Sequence, residues 1–246
     1  MRYIVPFILL FVVVSCKKAE DRSCMKVAGE NGEKEVTLAE FDNLFLGPHL
    51  KFILVQDTEN KMILRGGKNL LNFVSSEVVN GELRIENKNK CNFLRSFKKK
   101  IIEVELHLTD IVNIQFEGTR ALTCQNQLVQ NDLTLVIRDG AGNVNLNLQA
   151  NSLNTIVTHG WGNFDLNGNV NFLGLTVGGN GFGNSSDLIV NDSMYVISST
   201  PEDLTVNCNG ALMRAEIGSS GNIYYHGTPS FLEINDYGDG AVIDNN

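Results

Sequence analysis

From about residue 112 to the C-terminus the chain alternates apolar and polar residues in short runs, and the runs return at a nearly fixed interval. Leu133, Leu153, Leu173, Met194, Met213 and Leu232 each begin one, at steps of 20, 20, 21, 19 and 19 residues. Within them the apolar positions are two apart: Leu133, Leu135 and Ile137, then Leu173, Leu175 and Val177, then Met213, Ala215 and Ile217. Val112, Ile114 and Phe116 extend the series upstream, to about seven units. A period of two predicts strands with one dry face and one wet face, and a fixed longer period predicts a stacked repeat.

Each run leads into a corner and then a second alternating strand. The corners read Gly140-Ala141-Gly142-Asn143, Gly160-Trp161-Gly162-Asn163, Gly181-Phe182-Gly183-Asn184, Ser219-Ser220-Gly221-Asn222 and Gly238-Asp239-Gly240-Ala241. Gly and Asn suit sharp corners because they reach positive φ at least cost. The second strands carry Val144, Leu146 and Leu148 separated by Asn145 and Asn147, and Leu204, Val206 and Cys208 separated by Thr205 and Asn207. Pro201-Glu202-Asp203 replaces one glycine corner, and Ser185 to Asp187 lengthen another. A stacked repeat tolerates such departures, since corners lie outside the inward ladder.

The predicted fold class is therefore all-β, a right-handed β-helix or solenoid-like stack of rungs of about 20 residues. A β-sandwich is the alternative, because frequent turns give the same strand count. The outward asparagines favour stacking, where amides on successive rungs satisfy one another. Residues 36–108 are expected to form an N-terminal antiparallel β cap, with strands at Phe52 to Val55, Met62 to Leu64, Leu83 to Ile85 and Ile101 to Leu108. Asn80-Gly81 signals a hairpin there, and Ala39 to Leu46 suggests a short helical turn. Residues 109–246 form the repeat region, continuous with the cap, and residues 16–35 read as a flexible tether.

Residues 1–15 read as a signal peptide: Arg2 precedes an apolar run from Tyr3 to Val14, too short to span a bilayer. Val13-Val14-Ser15-Cys16 resembles the lipobox of bacterial lipoproteins, which predicts lipidation at Cys16; an ordinary signal with a chance cysteine is the alternative. Several acyl chains would hold the protein stably on a membrane it does not span. Lys17 in place of aspartate favours the outer membrane by analogy with Gram-negative sorting, and Lys18-Ala19-Glu20-Asp21 resembles export signals to the cell surface. Cleavage removes only Arg2 among the charges, moving the net value from −8 to −9. So acidic a chain lacks the cationic face that nucleic acid requires, and Lys98-Lys99-Lys100 reads as a solvated turn. The 30 asparagines and 23 glycines against 4 prolines suit short strands joined by tight turns. Cys24, Cys91, Cys124 and Cys208 could pair in an oxidising compartment or stay as buried thiols, with Cys124 and Cys208 facing inward.

Gly221-Asn222-Ile223-Tyr224-Tyr225-His226-Gly227, with Pro229 after it and the G-x-G-N corners before it, resembles the putative auto-transporter adhesin, head GIN domain family. So does Gly66-Gly67-Lys68-Asn69-Leu70-Leu71 leading to Val78-Val79-Asn80-Gly81-Glu82-Leu83-Arg84-Ile85. The resemblance covers about residues 36–244. It implies an all-β, solenoid-like domain of unassigned activity, common in lipoproteins of Gram-negative bacteria, and its name implies adhesion. Unlike an autotransporter, the sequence carries no C-terminal run of membrane-barrel strands.

Candidate chemistry is sparse. The register places Asp139 and His159 on equivalent positions of neighbouring rungs, an acid-base pair if the protein is a polysaccharide-acting enzyme, or an exposed ionic contact if it is not. Trp161, the single tryptophan, sits at a corner where it could stack a sugar or a protein partner, or instead fold over Phe182. Tyr224 and Tyr237, with Tyr225 and His226, form a second aromatic candidate near the C-terminal end. Gly178 to Gly183 lacks the aspartate of calcium-binding nonapeptides, and no phosphate loop, zinc spacing or dinucleotide fingerprint occurs, so no cofactor is expected. The sequence thus favours a non-enzymatic envelope lipoprotein, held by its lipid and presenting a surface for adhesion to glycans or proteins. A polysaccharide-acting enzyme or a purely structural or signalling envelope protein are the alternatives.

Overall fold

The structure, a computed structural model, describes residues 27–90 and 101–246. The expected signal peptide over residues 1–15, Cys16, Cys24, Cys91 and Lys98-Lys99-Lys100 lie outside the described residues. Apart from one 3-10 turn at Leu71–Phe73, the regular elements among the described residues are strands, and they coil into a β-solenoid of about seven turns. The predicted register is observed. Leu133, Leu153, Leu173, Met194, Met213 and Leu232 are successive pairing partners in parallel strands. This column forms one wall. The other runs from Phe52 through Leu122, Val144, Phe164, Gly183, Leu204 and Ile223 to Val242. Both walls send their inward side chains into one continuous core.

Strands Asn143–Thr158 and Asn163–Gly178 each supply both walls, bending where the pairing skips Asn151 and Asn171. At that bend the expected amide ladder forms. Asn171 Nδ2 donates to Asn151 Oδ1 at 3.1 Å, and Asn191 Nδ2 donates to Asn171 Oδ1 at 3.0 Å. Size is balanced along the columns. A Cβ added to Gly183 would lie 2.3 Å from the ring of Phe164, so the missing side chain on one turn makes room for the large one beneath it.

The N-terminal region contains expected antiparallel pairings, Lys61–Gly67 with Ile102–Leu108 and Val74–Val79 with Glu82–Asn87 across the Asn80-Gly81 hairpin. Asn31–Thr37 corrects the expected tether over residues 16–35, since it is a strand paired along its whole length with Lys61–Gly67. It also contains part of the parallel stack. Leu44 lies between Leu83 and Ile114, and Leu46 between Ile85 and Phe116. The expected helical turn over Ala39 to Leu46 is therefore corrected: Asn43–Leu46 is a strand, because Leu44 and Leu46 both point into the column. Phe45, on the opposite face, lies under the guanidinium of Arg84 at 3.7 Å.

Stack order here departs from chain order. The turn formed by Asn43–Leu46 and Leu50–Gln56 is held between the turn containing Ile102–Leu108 and the one containing Asn113–Phe116. Residues 109–112 must therefore cross an occupied turn without a ladder of their own. Val112 is satisfied by the backbone of Asp42 and Thr134, and side-chain amides serve the groups before it, as buried peptide groups require, with Asn60 Oδ1 accepting from the Thr109 N–H at 3.1 Å. Gln130, 7% exposed, accepts from the Ile111 N–H at 2.8 Å, and both Gln130 and Gln56 donate to the Thr109 carbonyl, at 3.2 and 2.8 Å.

The ends of the stack differ. Beyond Leu83 and Ile85, both fully buried, the antiparallel strand Val74–Val79 closes the first end. At the other, among the described residues, Phe231–Asp236 pairs only with Leu212–Ile217, and Val242–Asp244 only with Ile223–His226. Ala215 is 0% exposed, whereas Ile234 above it is 46% exposed.

An ionic network covers the antiparallel sheet. Arg65 donates to Glu105 at 2.6 Å and to Glu33 at 2.8 Å, while His107 bridges Glu105 at 3.1 Å and Asp57 at 2.7 Å. The Arg65 guanidinium first, then His107, holds the Glu105 carboxyl below its ordinary value of 4.5. The His107 hydrogen bond does the same to Asp57, below 3.8.

Two predictions follow from this packing. Gln130→Leu leaves the Ile111 N–H buried and unpaired and should cost about 1–3 kcal/mol in urea unfolding. Because the carboxyls titrate lower when folded than when unfolded, they contribute stability above their ordinary values that is lost on acidification. Urea midpoints of the wild type should fall as pH drops below 4.5, and Arg65→Met should be less stable at neutral pH and flatter in that acid window.

Candidate functional site

Asp139 and His159 do occupy equivalent places on adjacent turns, and the Asp139 N–H donates to the His159 carbonyl at 3.2 Å. Their side chains make no acid-base couple. The Asp139 carboxylate accepts from Arg138 Nε at 2.9 Å instead. The two residues share a backbone conformation, with φ of 54° and 53°, and Gly179 continues the corner column at 67°. Left-handed corners accept Gly, Asn, Asp and His more readily than branched residues, which accounts for this pair without catalysis.

Trp161 is 61% exposed at the next position of the corner, and among the described residues it makes no ring contact with Phe182. Tyr224 belongs to an outward column on the second wall, above Thr205. Tyr237 is separate from both, 74% exposed beside the last turn. The structure therefore does not gather the five sequence candidates into one site. Cys124 and Cys208 are free thiols, Cys208 buried and Cys124 half-buried. Burial pushes both up, Cys208 to about 11, so neither is a reactive thiolate at neutral pH.

A groove on the wet face of the second wall is the better candidate. It encloses about 420 Å³ between successive turns. One side is the outward column Asn145, Asp165, Asn184 and Thr205, each residue one strand from the next. The other carries Asn143, Asn163 and the half-exposed ring of Phe182, again in register. Alternation places these side chains outward because Val144, Phe164 and Leu204 are needed inside. Asn184 Oδ1 accepts from the Ser186 N–H at 3.0 Å, and Asp203 Oδ1 accepts from the Asn222 N–H at 2.8 Å, so two members of the lining are fixed by backbone. Asn163 Oδ1 is buried without a hydrogen-bond partner. Two of the sequence candidates border it, Trp161 two residues before Asn163 and Tyr224 one turn above Thr205, and the polar columns between them follow from the register alone.

A larger groove of about 830 Å³ lies over the crossover near Thr109 and Asp110 and is bordered by Glu35, Glu40, Asp42, Glu59 and Lys61. Among the described residues no group of His, Cys, Asp or Glu is arranged to hold a metal, and no helix is long and apolar enough to cross a membrane.

The corner explanation for Asp139 can be checked by calorimetry. Asp139→Gly should leave the thermal midpoint nearly unchanged, while Asp139→Val should lower stability by about 1–2 kcal/mol because of its branched Cβ at positive φ.

Several solved structures share this architecture. A "putative adhesin" from Bacteroides fragilis superposes with a TM-score of 0.78 at 21% identity, covering 87% of this chain and 96% of that one. A "putative adhesin" from Parabacteroides merdae gives 0.64 at 16% identity, covering 89% and 98%. A "putative lipid binding protein" from Parabacteroides distasonis gives 0.63 at 18% identity, covering 88% and 98%. At these identities the likeness establishes the fold alone. No curated protein sequence matches the chain. The family described as "Putative auto-transporter adhesin, head GIN domain" matches residues 40–229, most of the described solenoid, and the chain belongs to that family.

Proposed function

We propose that the protein is an adhesion module of the bacterial cell envelope, attached by a lipid on Cys16 and presenting the wet side of its solenoid to glycans or proteins beyond the membrane. The observation that carries this reading is the columnar order of that side. Outward side chains repeat one strand spacing apart on a rigid ladder, which suits an extended or repetitive ligand better than a compact one. Family membership points to adhesion, and the lipobox-like Val13-Val14-Ser15-Cys16 supports an anchor of acyl chains. The polysaccharide-acting alternative has less support, because the Asp139 carboxylate faces Arg138 and not His159.

In a Gram-negative host, the wild-type chain should take up labelled palmitate and fractionate with membranes, and external protease should remove it from intact cells. Cys16→Ser should lose the label and partition into the soluble fraction. Cells expressing the wild type should attach to glycan-bearing or protein-coated layers better than cells lacking it. Unlabelled protein in the soluble fraction would overturn the anchor. Full protection from protease together with unchanged attachment would overturn adhesion in favour of a structural or signalling role.

A further inference from the structure

The groove on the second wall has a chemical character that narrows what it can hold. It is lined by amides, carboxylates and a hydroxyl, with one exposed aromatic ring, Phe182, over the buried Phe164, and no cationic side chain. The side chains of Asn143, Asn145, Asp165 and Thr205 make no hydrogen bond to the described protein, although each projects into or beside the groove. An amide offers a donor and an acceptor side by side, and a carboxylate offers paired acceptors; both arrangements match neighbouring hydroxyl groups on a sugar ring. Phe182, 39% exposed, supplies an apolar face of the kind on which the C–H side of a pyranose can rest. An extended peptide would instead seek an open strand edge, and the strands that line this groove offer none, since each is paired on both sides.

We propose that this groove is a saccharide-binding site, selective for neutral oligosaccharides lying along the solenoid axis. The direction comes from the register. Asn145, Asp165, Asn184 and Thr205 succeed one another at the strand spacing of about 4.8 Å, so the polar contacts extend over roughly 14 Å and exceed what one sugar ring can use. Selectivity comes from charge. Asp165 and Asp203 stand in the lining without a compensating cation, which disfavours uronic acids and sulfated sugars. The rim extends toward Tyr224, next in the same column after Thr205, so longer chains gain a second aromatic contact. The Asn163 Oδ1, orphaned in the floor, is an acceptor that a sugar hydroxyl would satisfy if the amide turned toward the groove. This site deepens the adhesion reading and rests on it for its biological setting, although the binding chemistry stands by itself.

The test titrates the purified full chain in detergent with maltohexaose, cellohexaose, chitohexaose and mannohexaose, with a hyaluronan hexasaccharide as the anionic control, by calorimetry. At least one neutral hexasaccharide should bind, more tightly than its disaccharide, and hyaluronan should not. Asp165→Ala and Phe182→Ala should each weaken binding about tenfold or more, since each removes a direct contact. Tyr195→Phe, on the other wall, should leave it unchanged, and circular dichroism melts should confirm that all three variants fold. Absence of binding by every neutral probe, preference for hyaluronan, or binding insensitive to both groove substitutions would each overturn the site. Cell attachment measured on the same variants separates the two readings. Attachment without sugar binding leaves adhesion standing and removes the groove, whereas sugar binding without attachment does the reverse.

Discussion

Parallel strand register is the constraint on which the rest of this molecule depends. Once Leu153 pairs with Leu133 and Leu173 with Leu153, every inward side chain must share its column with the equivalent residues above and below. Each buried leucine contributes about 1.5–3 kcal/mol, but only while the column stays in step, since a slip of one residue would turn the whole set toward water. The columns therefore tolerate internal compromise more readily than displacement. Gly183 occupies a wall position to accommodate Phe164, and Thr155 and Ser198 bury hydroxyls without partners in the middle of aliphatic columns. Each orphaned hydroxyl costs something that the neighbouring leucines and valines offset.

The same register dictates the outer surface. A residue chosen to face water on one turn stands directly beside its counterparts, so polar groups collect into rows whether or not a ligand uses them. At the bend, the row of Asn151, Asn171 and Asn191 is spent on mutual hydrogen bonding. On the second wall, Asn145, Asp165 and Thr205 remain unengaged. The difference between a structural row and a binding row thus lies in whether its members satisfy one another.

Much of this was legible in the sequence because register stamps a period on the chain. The Leu and Met interval located the six rungs of the first wall from Leu133 onward, and the glycine corners marked where most second strands begin. Two things were not legible. The turn containing Leu44 and Phe52 is inserted between two later ones, and pairing order across Thr109 to Val112 leaves no trace in local alternation; the side-chain amides of Gln56, Asn60 and Gln130, far apart in sequence, record it. Asp139 and His159 were correctly placed as neighbours, yet their adjacency reflects a shared left-handed backbone and not shared chemistry. The groove leaves a fainter mark than the single tryptophan, because its asparagines alternate along the strands as any outward residue does.

The last turn, from Phe231 to Asp244, ends with half its core residues uncovered and its backbone edge unpaired, while the first is sealed by Val74–Val79. Among the described residues the antiparallel lid is confined to one end of the stack. Duplication or loss of a twenty-residue unit within the parallel region would lengthen or shorten the molecule without disturbing the lid or the crossover. Length becomes a property that can change in whole steps, one coil at a time.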